Sequence, residues 1–127
     1  MTDPIKLIGN VASPYTRKMV AYLRYKRISY EVIWGQPEEV LQKMNVEPPK
    51  PILLPVFILD RDGQATAVTD STPLIREFEE RFPERSVLPK DPALNFINFI
   101  LEDFGDEWCT KFMFHYRWHF DEDADNA

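Results

Sequence analysis

The amino-acid sequence predicts an α/β fold in which a mixed four-stranded sheet, with elements in the order βαβαββα, is followed by one long helix. Three observations support this prediction. Short β-rich runs alternate with segments of helical periodicity in the N-terminal part of the chain. The turn Asp62-Gly63 separates two β-rich runs, which is typical of a hairpin. A helical apolar pattern then extends from about residue 93 to residue 118.

The first strand, the first helix and the second strand follow from residue type. Ile5–Ile8 is a short β-forming run. Ser13-Pro14 opens a helix that runs to about Arg27, because serine caps a helix and proline fits its first turn. Tyr30–Trp34 is the second β-rich run, and the segment 37–44 is a second short helix with acidic residues in its first turn. The strand–helix–strand connection predicts two parallel strands with a right-handed crossover.

The remaining elements complete the sheet. Pro55–Leu59 and Gln64–Val68 are the two strands of the hairpin. A third helix opens at Asp70-Ser71, within a run of capping residues that also holds Pro73, and Pro83 ends it. Four strands in this order, with helices on both faces of the sheet, form the thioredoxin-like arrangement.

Composition limits the class of protein. A chain of 127 residues with 44% apolar residues can build a core. A net charge of −6 without any basic run argues against a nucleic-acid binder. A single cysteine, Cys109, excludes an intramolecular disulfide, and we expect it to pack as a small apolar residue. No apolar run approaches the ~20 residues of a membrane span, so we expect no membrane partner and a cytoplasmic location. The acidic run 121–125 is expected to be a solvated, frayed end.

Four local features, in this order and on these elements, make the sequence resemble the glutathione S-transferase family. They are the turn Ser13-Pro14-Tyr15-Thr16-Arg17, the strand entrance Leu54-Pro55, the helix start Asp70-Ser71, and the connection Arg81-Phe82-Pro83-Glu84 with Leu88-Pro89 and Asp91-Pro92. The resemblance covers residues 5 to about 118. It implies a thioredoxin-like glutathione-binding domain at 1–83, a linker at 84–92, and the start of a helical domain with an acidic tail at 93–127. The family's helical domain normally has several helices, so the chain resembles a truncated member.

The resemblance also implies a site. Ser13 would stabilise the glutathione thiolate by donating a hydrogen bond, with Tyr15 and Thr16 as alternative hydroxyl donors. A cis bond before Pro55 would leave the Leu54 backbone free to pair with the cysteinyl residue of glutathione. At the third helix, the γ-glutamyl end of glutathione would place its ammonium at Asp70 and its carboxylate at Ser71. Each of these residues has a simpler interpretation as a helix cap or a packed side chain.

The function implied is conjugation of glutathione, as co-substrate, to a small electrophile, by a protein expected to be a homodimer. A non-catalytic glutathione-binding or assembly module is the alternative, because only the first helix of the helical domain is present. A thiol-disulfide oxidoreductase would need a cysteine at position 13 or 16, where the chain has serine and threonine. His115 and His119 share a helix face at i,i+4, but without a clear third ligand we expect no metal. Among the polar residues of the first helix, Thr16, Arg17, Lys18, Arg24 and Lys26 are expected on its wet side, with Lys18 solvated.

Overall fold

The computed structural model describes residues 3–127, which divide into two compact units. The N-terminal unit ends at Ser86 and the C-terminal unit runs from Val87 to Ala127. The N-terminal unit contains, in chain order, β1 (Ile5–Gly9), α1 (Pro14–Lys26), β2 (Tyr30–Trp34), α2 (Pro37–Met44), β3 (Val56–Arg61), β4 (Gln64–Val68) and α3 (Ser71–Arg81). The predicted thioredoxin-like fold and its βαβαββα order are confirmed.

The sheet has the strand order β2-β1-β3-β4, with β1 and β2 parallel and β3 antiparallel to both β1 and β4. Ile8 lies opposite Val56, and Phe57 lies opposite Val68. The C-terminal ends of β1 and β4 therefore meet the beginning of β3 at one end of the sheet. The chain enters α1 and α3 from this same end.

Each face of the sheet covers its own core, because successive side chains of a strand point to opposite faces. On one face, the Phe57 ring lies 5.6 Å, centroid to centroid, from Phe78 of α3, which in turn stacks on Tyr22 of α1. On the other face, Ile8 and Val56 pack with Leu41 of α2, and all three are buried. The sheet is thus held between α1 and α3 on one side and α2 on the other.

Strand β3 differs slightly from its predicted bounds, beginning at Val56 and ending at Arg61. Proline has no N–H to contribute to a ladder, so Pro55 stands just before the paired residues. The hairpin turn has positive φ at both Asp62 (55°) and Gly63 (81°), as a type I′ turn requires.

The buried face of α1 was predicted incorrectly at two polar positions. Thr16 and Lys26 were expected on the wet side of the helix, but both are buried. They lie on one helix face together with Met19 and Leu23, at spacings of three and four residues. The Lys26 side chain has no exposed surface and forms an ion pair with Glu79 of α3, with Nζ and Oε1 at 2.9 Å.

Glu79 is the centre of a buried polar cluster. It accepts hydrogen bonds from the Tyr22 hydroxyl at 2.8 Å and from the Ser86 hydroxyl, while Lys26 also donates to the Phe82 carbonyl. Burial would raise the pKa of the Glu79 carboxyl, but the hydrogen bonds from Ser86, Lys26 and Tyr22 outweigh it and hold that pKa below its usual value. Burial and the hydrogen bond to Glu79 raise the pKa of the Tyr22 hydroxyl well above its usual value.

The segment 82–86 is held against α1 by this cluster and by a second set of contacts. Arg85 has positive φ (53°), its Nε donates to the Tyr25 carbonyl, and its guanidinium lies 4.6 Å from the centroid of the Tyr25 ring. Backbone and side-chain contacts therefore continue beyond the end of α3 to the last residue of the unit.

The C-terminal unit is helical from Pro92 to Trp118 and contains α4 (Pro92–Asp103), a π-helical segment (Phe104–Cys109), α5 (Thr110–Trp118) and the short α6 (Asp121–Ala124). Asp91 caps α4 by accepting from the Leu94 N–H at 2.9 Å. The long helix was predicted, but its π-helical segment was not. Two smaller expectations also differ: the acidic tail forms a helical turn, and Cys109 is exposed instead of packed.

Many large apolar side chains of the C-terminal unit are exposed. They are Leu88, Leu94, Phe96, Ile97, Phe99, Ile100, Leu101, Phe104, Trp108, Phe112, Phe114, Tyr116, Trp118 and Phe120. None of the apolar residues of this unit is fully buried. Large exposed apolar surface usually marks an interaction surface.

Candidate functional site

The predicted site residues lie on segments that meet at one end of the sheet. Ser13 follows β1, Leu54 and Pro55 precede β3, and Asp70 and Ser71 follow β4. The registers Ile8 to Val56 and Phe57 to Val68 bring these segments to the same end. Loops at the end of an α/β sheet, where helices begin, commonly form ligand sites. The candidate site is this end of the sheet.

Ser13 is the N-cap of α1. Its Oγ accepts a hydrogen bond from the Thr16 N–H at 3.1 Å, and its own N–H donates to the Asn10 carbonyl at 3.1 Å. The side chain is half-buried, so one side of it is open to a ligand. A hydroxyl that accepts in a cap can still donate its proton to a second group. Ser13 can therefore cap α1 and donate to an anion at the same time.

The two alternative hydroxyls differ in exposure. Tyr15 is half-buried, whereas Thr16 is completely buried and its Oγ1 accepts from the Asn10 N–H at 3.4 Å. Arg17 donates from Nε to the Val11 carbonyl at 3.0 Å and so braces the turn before α1. This geometry gives Thr16 and Arg17 structural roles in the turn, and leaves Ser13 and Tyr15 as the more accessible hydroxyls.

We expect Gly9→Ala to destabilise the N-terminal unit by about 1–3 kcal/mol, as overpacking of a core does. A Cβ at position 9 would lie 2.5 Å from Cγ2 of Thr16, a β-branched side chain with little rotamer freedom. The loss would be measured by urea unfolding followed by circular dichroism.

Two variants control this experiment. Gly9→Ala combined with Thr16→Ser removes the methyl group that clashes and should recover much of the loss. Gly105→Ala has no atom within 4 Å of the added Cβ and should leave stability unchanged or slightly higher. A Gly9→Ala protein as stable as the wild type would show that the turn shifts freely to make room.

The Leu54–Pro55 peptide bond is cis, as expected, and Lys50–Pro51 is a second cis bond that the sequence did not predict. Pro55 is buried and Leu54 is half-buried. Within residues 3–127, the N–H and C=O of Leu54 form no hydrogen bond with another backbone group. Backbone donors and acceptors are strong hydrogen-bonding groups, so this peptide unit can pair with an extended ligand as a strand would.

Asp70 and Ser71 form the start of α3. Asp70 is exposed, caps the helix by accepting from the Thr72 N–H at 3.3 Å, and has a φ of 79°. A non-glycine residue with such a φ is strained by roughly 1–3 kcal/mol, and residues of this kind concentrate at ligand sites. Ser71 is buried, and its Oγ accepts a hydrogen bond from Lys18 Nζ at 3.1 Å.

The sequence interpretation did not predict the position of Lys18, which contacts a candidate site residue. Lys18 was expected to be solvated, but it is half-buried and reaches from α1 to the start of α3. The available signal was its position five residues after Ser13, on a helix that begins at the candidate site. Its partner lies 53 residues further along the chain, so local sequence could not identify the contact.

The C-terminal unit offers no metal site in the part of the chain that the structure describes. The His115 and His119 rings stack with centroids 4.6 Å apart, and the residues described contain no group of three His, Cys, Asp or Glu side chains placed to hold a metal ion. None of the helices in residues 3–127 is both long and apolar enough to span a bilayer.

Comparison with known families decides the relationship. Residues 7–86 match the family sequence profile described as glutathione S-transferase, N-terminal domain. The chain belongs to the glutathione S-transferase family. No curated protein matches this transferase-family chain at a significant level.

Solved glutathione S-transferases share the fold. A glutathione S-transferase from Methylobacterium radiotolerans, solved with glutathione sulfonate, has a TM-score of 0.74 and 22% identity, over 94% of this chain and 55% of its own. A glutathione S-transferase from Rhodospirillum rubrum has a TM-score of 0.63 and 27% identity, over 81% and 45%. Maleylacetoacetate isomerase from Anaeromyxobacter dehalogenans, with glutathione in its active site, has a TM-score of 0.62 and 21% identity, over 79% and 47%. The chain thus spans about half the length of these proteins.

Proposed function

We propose that this chain binds glutathione at the end of the sheet where α1 and α3 begin, and that it stabilises the glutathione thiolate beside Ser13. The observation that carries the proposal is the convergence of three kinds of group at that end. They are the capping hydroxyl of Ser13, the Leu54 peptide unit next to a cis-proline, which has no backbone hydrogen bond within residues 3–127, and the Asp70-Ser71 start of α3. Two of the structural relatives were solved with glutathione or its sulfonate, which supports the same ligand here.

Each part of glutathione has a matching group. The Leu54 N–H and C=O suit the backbone of the cysteinyl residue. Ser71 and the first N–H groups of α3 suit the γ-glutamyl carboxylate, since a helix start attracts anions. The exposed Asp70 carboxylate suits the γ-glutamyl ammonium. The thiol then lies toward the start of α1.

The chemistry follows from the ionisation of the thiol. A free thiol has a pKa of about 8.5, so little of it is thiolate at neutral pH. A hydrogen bond from the Ser13 hydroxyl and the positive end of the α1 dipole both favour the thiolate. The thiol proton passes to water, and the thiolate sulfur attacks a small electrophile. The electrophile either releases its leaving group as an anion or, where the sulfur adds to a polarised double bond, takes up a proton from water. Conjugation is proposed for the whole protein, because the solved relatives are about twice as long.

Isothermal titration of glutathione tests this proposal. We expect saturable binding that weakens about tenfold in Ser71→Ala, because hydrogen bonds to charged groups contribute about 1.5–3 kcal/mol. Asp70→Asn should also weaken binding, because the amide keeps the cap acceptor but removes the charge. Asp62→Asn is the matched control, since Asp62 is also an exposed aspartate with positive φ but lies in the hairpin turn at the other end of β3. Absence of binding at millimolar glutathione would overturn the proposal.

A second candidate function is a non-catalytic glutathione-binding or assembly module, and the exposed apolar side chains of the C-terminal unit favour it. A homodimer would cover some of that surface. Sedimentation analysis over a range of concentrations, with and without glutathione, distinguishes the two functions. A mass that rises with concentration, together with thiol ionisation unchanged on binding, would favour the assembly module over the transferase.

A further inference from the structure

We propose that Lys18 is a positioning residue that makes the site selective for the α-carboxylate of the γ-glutamyl residue. The inference rests on the proposed function and adds to it a residue of α1. Two observations support it: Lys18 Nζ lies 3.1 Å from Ser71 Oγ, and Ser71 is buried with only 7% of its surface exposed. The hydroxyl proposed to receive the carboxylate is thus already held by a cation.

The direction of that hydrogen bond determines what Ser71 can do. A lysine ammonium has three donors and no acceptor, so Ser71 Oγ must be the acceptor. The hydroxyl proton of Ser71 is not used in this bond and can be donated to another group. A carboxylate oxygen, which only accepts, matches that proton. Lys18 therefore orients Ser71 as a donor to an anion.

Lys18 also contributes charge. Its ammonium lies next to the first residue of α3, where the helix dipole already favours negative charge. Asp70, one residue earlier, is exposed and carries the opposite charge. Lys18 and Asp70 together place a positive and a negative group at neighbouring positions. This arrangement matches the adjacent carboxylate and ammonium of a free α-amino acid end and disfavours ligands that lack either charge.

The test compares two ligands with two variants by isothermal titration. The ligands are glutathione and its analogue in which hydrogen replaces the α-carboxylate of the γ-glutamyl residue. Lys18→Met removes the charge and keeps an apolar side chain of similar length, whereas Lys18→Arg keeps the charge. We expect Lys18→Met to weaken glutathione binding about tenfold, since charge-assisted hydrogen bonds are the stronger ones, and to leave the affinity for the analogue unchanged. Lys18→Arg should retain most of the preference for glutathione.

The other outcomes are equally informative. An equal loss of affinity for both ligands would reduce Lys18 to a structural contact between α1 and α3, and no loss in Lys18→Met would also overturn the inference. In both cases the wild-type protein still binds glutathione, so the proposed function stands. A wild-type protein that binds no glutathione would overturn both proposals.

One measurement needs no variant and covers the case in which Lys18→Met fails to fold. Added salt should weaken wild-type binding of glutathione more than binding of the analogue, because a charge contact is screened. Equal salt dependence of the two affinities would contradict the inference.

Discussion

Replacing Glu79 with leucine should lower the free energy of unfolding of the N-terminal unit by about 3–5 kcal/mol, the usual cost of breaking a buried ion pair on one side. The Lys26 side chain has no exposed surface, so the substitution leaves a buried ammonium without its counter-charge. The Tyr22 and Ser86 hydroxyls lose the carboxylate as an acceptor in the same step, and the Tyr22 hydroxyl keeps only its longer hydrogen bond to the Ile75 carbonyl, at 3.4 Å, among the bonds described for it. Urea unfolding followed by circular dichroism measures the loss.

Two controls separate charge burial from the loss of any ion pair. The double variant Lys26→Met with Glu79→Leu removes both charges and should recover most of the lost stability, as apolar replacement of buried pairs often does. Glu77→Leu breaks the ion pair with Arg61, in which the Glu77 side chain is 31% and the Arg61 side chain 45% exposed. This substitution should lower the free energy of unfolding by about 1 kcal/mol or less. If Glu79→Leu costs no more than Glu77→Leu, the buried cluster contributes little to stability.

The same cluster should set the pH range of stability. The pKa of Glu79 is lowered by folding, so its stabilising effect is present above the ordinary value of 4.5 and is lost as the pH falls through the folded-state pKa. The pKa of Tyr22 is raised, so its contribution is present below the ordinary value of 10.0 and is lost as the pH rises above it. The melting temperature, measured across pH, should fall at both the acid and the alkaline end. The fall at the acid end should be smaller in the double variant Lys26→Met with Glu79→Leu than in the wild type. An equal fall at the acid end in the wild type and in the double variant would contradict this assignment.

Ser13→Ala should raise the pKa of the bound glutathione thiol by about 1–2 units, which is the free energy of a hydrogen bond to a charged group divided by 1.36 kcal/mol per unit. The substitution removes the hydroxyl that is placed at the start of α1, while the helix dipole remains. Thiolate absorbance of bound glutathione, titrated against pH, measures the shift. For the whole protein, the conjugation rate at neutral pH should fall with the thiolate fraction.

The cap and the donor role of Ser13 must be separated in this test. Loss of the cap alone costs about 1 kcal/mol of stability, because the Thr16 N–H loses its acceptor. Ser13→Thr retains a hydroxyl that can both cap and donate, and should preserve the thiol pKa. A thiol pKa that stays unchanged in Ser13→Ala would leave Ser13 as a helix cap and point to Tyr15 as the donor.

The fold was predictable because local signals were strong at the element boundaries. Ser13-Pro14 and Asp91-Pro92 combine a capping side chain with proline in the first helical turn, and both helices begin there. Asp62-Gly63 supplies the positive φ values of the hairpin turn. The cis bond at Pro55 was anticipated only through the resemblance, since few X-Pro bonds are cis.

The polar contacts between α1 and α3 could not be predicted in the same way. Thr16, Lys18 and Lys26 are polar, and a hydrophobicity pattern assigns such residues to the wet side of a helix. In the fold, Lys18 donates a hydrogen bond to Ser71 and Lys26 forms an ion pair with Glu79. Both partners belong to α3, which is distant from α1 in sequence. Tertiary pairing therefore overrides local polarity at these positions. The π-helical segment 104–109 also could not be predicted, because it contains no proline and its N-cap makes no side-chain hydrogen bond.

The contacts of the segment 82–86 bear on where the N-terminal unit can be separated by proteolysis. Arg85 and Lys90 are both exposed, but Arg85 is held by Tyr25 and the neighbouring Ser86 by Glu79, whereas Lys90 lies in the connection to α4. Limited digestion with trypsin should therefore cut after Lys90 before it cuts after Arg85. The released fragment would keep Ser86 on Glu79, whereas a chain ending at Pro83 would lose that donor and the Arg85 contacts. We therefore expect a fragment that ends at Ser86 to be more stable than one that ends at Pro83.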